Sequence, residues 1–218
     1  KRFYKKIGFE TKFLNANETL KIEPSLNSNV LCSLLCQNQD QVNPMLLKNF
    51  LTKEIKSLGG EILKIRKIKK LTINKNKVSF NNETIDFEKI IISCGAWSNE
   101  ILYNSFGIDI PSRPLKGVSL LVKSKTNIFN HNLWFRNIYI APRTNGILSI
   151  GATEEEKGFD SSIRMDELYS LTNSIWESFP NIEDLELKEI KVGLRPTLID
   201  GSPVIGPFKK ISNDVILS

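Results

Sequence analysis

No run in this chain approaches the roughly 20 consecutive apolar residues that a bilayer-spanning helix needs, so no membrane-spanning helix is expected. The first residues, KRFYKK, contain no Met and no apolar core of a secretory signal, and they read as the start of a fragment or a processed chain. Cysteine is scarce. Three residues, an odd number, argue against a disulfide framework and for a reducing compartment, the cytoplasm. Cys32 and Cys36 do not form a CxxC pair. With Cys94 and the single histidine, His131, they read as small core residues rather than metal ligands, so no metal is expected. One histidine in an Asn-rich stretch, without a nucleophile motif, also argues against a Ser-His-Asp hydrolase. The G-x-G-x-x-G fingerprint, which seats a pyrophosphate on a helix N-terminus, occurs nowhere in the 218 residues.

What is present is an ordinary globular composition, 40% apolar and 25% charged, in a chain long enough to bury one large core or two small ones. The net charge is +6, and seven basic residues fall between Lys64 and Lys77. They alternate with Ile65, Ile68, Leu71 and Ile73, as on the solvated face of a hairpin. No nucleic-acid motif or aromatic interleaving accompanies them, so no nucleic-acid partner is expected.

The pattern over the first 26 residues is weak, with Pro24 ending any helix. Asn29–Cys36 is apolar enough for a strand. Asn43–Leu58 reads as a helix: Asn43 caps it, Pro44 suits its first position, and Leu47, Phe50, Leu51, Ile55 and Leu58 form one stripe before Gly59-Gly60 ends it. Strands are expected at Glu61–Ile65, Ile65–Ile73, Lys77–Phe80 and Thr84–Phe87. Lys89–Ser93, with three isoleucines in a row, reads as a strand buried on both faces, closed by Gly95 and followed by a helix over Trp97–Phe106. These elements form a parallel-sheet α/β unit with a small antiparallel insertion, and ligands of such sheets lie beyond the carboxyl ends of the strands, where Gly95 sits; the alternative for Gly95 is a helix-start glycine with no ligand. Beyond Pro111, strands are expected at Pro114–Lys123, Asn132–Ala141, Ile147–Ala152 and Leu185–Leu194. Thr144-Asn145-Gly146 forms a hairpin turn, and Met165–Phe179 an amphipathic helix on Leu168, Leu171, Ile175 and Phe179. This half reads as a mostly antiparallel sheet with one covering helix.

The stretch with most chemical content is KVGLRPTLIDGSPVIGP, residues 191–207. Its strand ends at Arg195-Pro196, and Pro196 biases Arg195 toward extended backbone. Asp200-Gly201 is a turn, and Pro203–Gly206 a second extended piece. An arginine held there suits two-bond recognition of a carboxylate. The alternative is a structural arginine that pairs with Asp200 or caps the loop.

GLRPTLIDGSPVIGP resembles a signature of the FAD-dependent D-amino-acid oxidase superfamily. Three further stretches resemble it in the same order: DQVNP (40–44), IIISCGAWS (90–98) and YIAPRTNGILSIGATEEEKGFD (139–160). The last is most similar to the glycine oxidases of thiamine biosynthesis. The resemblance implies part of a Rossmann-like FAD-binding domain with an inserted, mostly antiparallel substrate-binding domain, α/β plus α+β. The implied boundaries are 1–36 for a substrate-domain segment, 37–108 for an FAD-domain segment, 109–194 for the substrate-binding domain, and 195–218 for the return to the FAD domain.

The resemblance also implies FAD as cofactor, held near Gly95 and through the backbone of Ile68, and a small amino-acid substrate whose carboxylate meets Arg195 and the Tyr139 hydroxyl. The implied reaction is oxidation of glycine or a related amino acid to an imine or oxo-acid, ammonia and peroxide, with no required catalytic base. The alternatives are a D-amino-acid dehydrogenase, a sarcosine-type amine oxidase, or a non-catalytic flavoprotein subunit. A homo-oligomer is left open. Because the family's dinucleotide fingerprint is absent, the chain is expected to be an internal fragment, inactive by itself.

Overall fold

The computed structural model describes residues 4, 6 and 8–218 except 38, 66, 136, 210 and 213. Arg66 of the basic segment and Arg136 of the strand expected at Asn132–Ala141 therefore lie outside the described residues. The elements run β1 (Thr11–Asn15), α1 (Ala16–Ile22), β2 (Cys32–Cys36), α2 (Pro44–Ser57), β3 (Thr72–Asn74), β4 (Lys77–Phe80), β5 (Glu83–Asp86), β6 (Ile90–Ile92), α3 (Ser98–Phe106), β7 (Arg113–Lys123), β8 (Leu133–Trp134), β9 (Tyr139–Pro142), β10 (Ile147–Gly151), α4 (Met165–Ser178), β11 (Glu186–Thr197), β12 (Gly206–Pro207) and β13 (Val215–Leu217). Among the described residues no helix is long and apolar enough to cross a membrane. Two compact units divide the chain: one of Lys1–Glu61, Val118–Thr153 and Ser162–Val192, the other of Ile62–Gly117, Glu154–Ser161 and Gly193–Ser218.

The first unit is built on the sheet with strand order β11-β7-β10-β9-β8. Asn145 (φ 62°) and Gly146 (φ 71°) turn β9 into β10. The Pro142–Leu148 pairing and the Arg143 N–H bond to the Ile147 carbonyl leave Thr144–Gly146 as a three-residue loop, and Asn-Gly takes its two left-handed positions at low cost. Helix α4 buries Leu171 and Ile175, and its C-cap residue Phe179 joins them, with Val118, Ile140 and Ile150 of the strands. The strand expected at Asn132–Ala141 is instead two, β8 and β9, because the Phe135 N–H bonds the Ile138 carbonyl at 2.8 Å and folds the chain back. Tyr139 therefore opens β9 rather than standing in mid-strand.

The N-terminal part of this unit holds more structure than its weak pattern promises. β1 pairs antiparallel with β2. Asn15 then caps α1 reciprocally with Glu18: each side chain bonds the other's backbone N–H at 2.9 Å. The buried carboxylate of Glu23 accepts the backbone N–H groups of Asn130 and His131 and meets His131 Nδ1 at 2.6 Å, which ties this segment to the loop before β8. Asn43 caps α2, accepting from the Met45 and Leu46 N–H groups. The apolar stripe of α2 is exposed, however, and none of the helix's described residues is buried. The cysteines also depart from expectation: Cys32, at the start of a strand in a two-stranded sheet, and Cys94 are exposed and free.

The second unit contains a meander, β3-β4-β5, and a three-stranded sheet, β12-β13-β6, in which β13 runs parallel to β6. Its core joins Leu71, Phe80, Ile92, Leu102, Val215 and Leu217. The strand expected over Glu61–Ile65 does not form, and that over Ile65–Ile73 shrinks to β3. β3 has one ladder partner, β4, and a strand without neighbours has nothing to satisfy its backbone groups. β6 is not buried on both faces: Ile92 is 3% exposed but Ile91 is 63%. Across the described residues the fold mixes helices with mainly antiparallel sheets, and the parallel pair β6–β13 carries the α/β character.

Candidate functional site

The second unit holds a cavity of about 300 Å³ at the carboxyl ends of its two parallel strands. Ile92 of β6 and Leu217 and Ser218 at the end of β13 form its floor. Gly95 and Ser98, where the chain turns into α3, form one wall, and the Pro196–Leu198 and Gly201–Ile205 stretches form another. Gly95 adopts φ +56°, and a Cβ there would meet nothing within 4 Å. Glycine is thus required by the left-handed backbone, not by crowding. Beside it, partial desolvation of the Cys94 thiol raises its pKa, which keeps it a poor nucleophile.

β11 delivers Arg195 two residues before its end, with the cavity loop starting at Pro196. Asp200 is not its partner. The Asp200 carboxylate accepts the Ser202 N–H at 3.0 Å and shapes the turn that Gly201 completes at φ +68°. Arg195 Nη1 instead donates to Glu154 Oε1 at 2.8 Å. Glu154 belongs to an acidic run in which alternate side chains grip arginines: Glu156 takes the Arg113 guanidinium through bonds of 2.8–3.1 Å, which raises the pKa of Arg113. Between them Glu155 exchanges both backbone bonds with Lys116 at 3.0 Å.

Tyr139 lies in the first unit. Its ring packs on Trp134 with centroids 5.4 Å apart, and its hydroxyl lies over Gly151, 3.2 Å from where a Cβ would be. Ile68 sits in non-strand backbone, half-buried against the second unit's core, and does not line the cavity. The structure therefore brings Gly95 and the loop after Arg195 to one cavity. Sequence reasoning missed Glu154; its signal was the run Glu154–Glu156, whose two-residue spacing aims alternate carboxylates to one side.

The family described as FAD dependent oxidoreductase, DAO, matches residues 1–217. The chain belongs to the DAO family. A hydrogen cyanide synthase subunit HcnC of Pseudomonas protegens is 29% identical over 190 residues, 85% of this chain and 46% of that protein. A glycine oxidase of Bacillus licheniformis is 26% identical over 208 residues, 94% and 56% of the two chains. This DAO-family chain thus spans about half the length of these curated relatives. The glycine oxidase structure from Geobacillus kaustophilus superposes with a TM-score of 0.92 at 22% identity, covering 99% of this chain and 59% of that one, and so shows the shared fold.

FAD is the cofactor of the DAO family. The cavity suits part of it: mostly apolar walls with serine hydroxyls fit a flat ring system. A volume of about 300 Å³ lies at the small end for ligand sites and takes a portion of a dinucleotide, not the whole.

Proposed function

We propose that this chain supplies the substrate-anchoring residues and part of the flavin site of an enzyme that oxidatively deaminates glycine or another small amino acid. The products are an imine or oxo-acid, ammonia and hydrogen peroxide, and thiazole formation in thiamine biosynthesis is the route implied by the sequence resemblance. The observation that carries the reading is Arg195, at the end of β11 and directly before the loop that walls the cavity. Its guanidinium binds the substrate carboxylate. Family resemblance gives the Tyr139 hydroxyl the same partner, gives Gly95 a place beside the flavin, and gives the backbone of Ile68 the adenine end. FAD, when bound, supplies the hydride acceptor. The protein's part is to fix the α-carbon by its carboxylate and to exclude water with the apolar walls, so no side chain is assigned as a general base. The segments 37–108 and 195–218 are proposed as FAD-binding, and 1–36 and 109–194 as substrate-binding.

The test is to incubate the whole FAD-loaded enzyme that contains this chain with glycine and with ethylamine and to measure ammonia and peroxide. Turnover of glycine with little turnover of ethylamine supports the reading; equal turnover, or none of either, removes it. The likeness to a protein named as a hydrogen cyanide synthase subunit favours a second reading, a subunit of a multi-chain oxidase. Cyanide release from glycine in place of ammonia identifies that case.

A further inference from the structure

We infer that Glu154 is an internal carboxylate that occupies Arg195 in the ligand-free protein and is displaced by the substrate carboxylate, so that it sets the affinity of the site for anions. This rests on the reading of Arg195 as the carboxylate anchor. Three observations carry it. The Arg195–Glu154 bond is a guanidinium–carboxylate bond, the same class of bond that a substrate carboxylate would make, with Nη1 to Oε1 at 2.8 Å. Both side chains are accessible, 44% and 67% exposed, so a dissolved anion can reach the pair and exchange with it. Glu154 is also held in place: Glu155 is fixed to Lys116 by two backbone bonds, and Glu156 is clamped on Arg113. Its carboxylate is therefore delivered to Arg195 by a braced segment rather than meeting it by chance.

The consequence is an exchange of one anion for another. Arg195 keeps a carboxylate partner throughout. The arrangement also weakens binding, because the incoming carboxylate must outcompete a resident one. A half-exposed ion pair of this kind is worth about two- to fivefold in an equilibrium constant. Glu154 is thus a positioning and specificity residue rather than a catalytic one. Its retained charge disfavours ligands that carry a second negative charge near the first.

The experiment titrates the whole enzyme that contains this chain with sodium acetate at constant ionic strength and follows arginine side-chain resonances by NMR. E154Q is expected to bind acetate about two- to fivefold more tightly than the parent chain. Glu154→Asp, which keeps the charge, is expected to return affinity toward the parental value. Arg195→Ala is expected to abolish the saturable shifts in both backgrounds. If Glu154→Gln misfolds, Glu156→Gln provides the second route: it releases the brace on Arg113 and is expected to give a smaller gain in the same direction. No gain in either glutamine variant, with binding still lost in Arg195→Ala, overturns the role of Glu154 and leaves the arginine assignment standing. Binding that survives Arg195→Ala overturns the arginine assignment itself.

Discussion

Gly151→Ala is a small change with a calculable result. Gly151 stands on β10 opposite Ser119 of β7 on one side and Tyr139 of β9 on the other. A Cβ there would lie 2.9 Å from Ser119 Cβ, 3.2 Å from the Tyr139 hydroxyl oxygen and 3.3 Å from the ring carbon that bears it. The first distance is a clash with an atom fixed to the strand, so the strands or the ring must move. Overpacking of this kind costs about 1–3 kcal/mol, and the reduced freedom of the unfolded chain on Gly→Ala returns about 0.4–1 kcal/mol. The net destabilisation is about 1–2 kcal/mol, or about 2–8 °C in Tm for a chain of this length. Ser119→Gly removes the nearest obstacle at a cost of about 0.5–1 kcal/mol for a glycine in a strand. The pair should couple: in the Ser119→Gly background the penalty of Gly151→Ala should fall by about 1 kcal/mol. Urea unfolding of the four proteins measures the cycle. A Gly151→Ala protein as stable as its parent, or strictly additive variants, refutes the reasoning.

The remaining expectations concern the anchor, the core, acid stability and the charge. Arg195→Ala should lower kcat/KM for glycine about 10- to 100-fold in the FAD-loaded protein, with Arg195→Lys recovering part and Tyr139→Phe costing about tenfold; equal losses for glycine and ethylamine in steady-state kinetics would make the arginine structural. Leu171→Ala, at a site 2% exposed, should cost about 2–5 kcal/mol in chemical denaturation, whereas Tyr169→Ala on the exposed side of α4 should stay within about 0.5 kcal/mol. The Lys89 ammonium, hydrogen-bonded to Asp214, holds that carboxyl below its ordinary pKa. A depressed folded-state pKa stabilises above the unfolded value of about 4 and loses that contribution as pH falls below it, so Asp214→Asn should flatten this part of an acid-unfolding profile. The basic stretch 64–77 should show no tight DNA or RNA binding at physiological salt; high affinity with a steep salt dependence in a filter or fluorescence titration would contradict this.

What the sequence made readable was local. The caps Asn43-Pro44 announced α2, Leu168, Leu171, Ile175 and Phe179 announced α4, and Asn145-Gly146 announced the β9–β10 turn, because each signal lies within one or two turns of chain. The Asn15…Glu18 capping box was equally local but was passed over beside a weak apolar pattern. Features set by distant partners were not readable. Whether residues 61–73 form a ladder depends on neighbouring strands. Whether Ile91 is covered depends on a second layer, and the folding back at Phe135–Ile138 is a backbone choice that apolar alternation does not encode. At the candidate site, Arg195 was legible from Pro196 and the turn behind it. Its partner lies 41 residues earlier in the chain, in an acidic run that resembles any solvated face until the fold brings it to β11.

Helix α2 carries a consequence for the timing of motion in the 218 residues taken by themselves. Its 14 residues include none that is buried, so its hydrogen bonds are not locked by side-chain packing as those of α4 are. An isolated helix of about this length is marginal in water. Its amides should exchange with deuterium through local opening, at rates nearly independent of added denaturant. Those around Leu171 and Ile175 should wait for the whole first unit to unfold. The capped ends at Asn43 and Leu58 then decide how often the helix exists rather than where it sits, and α2 becomes the part of the first unit whose order is most readily changed by temperature.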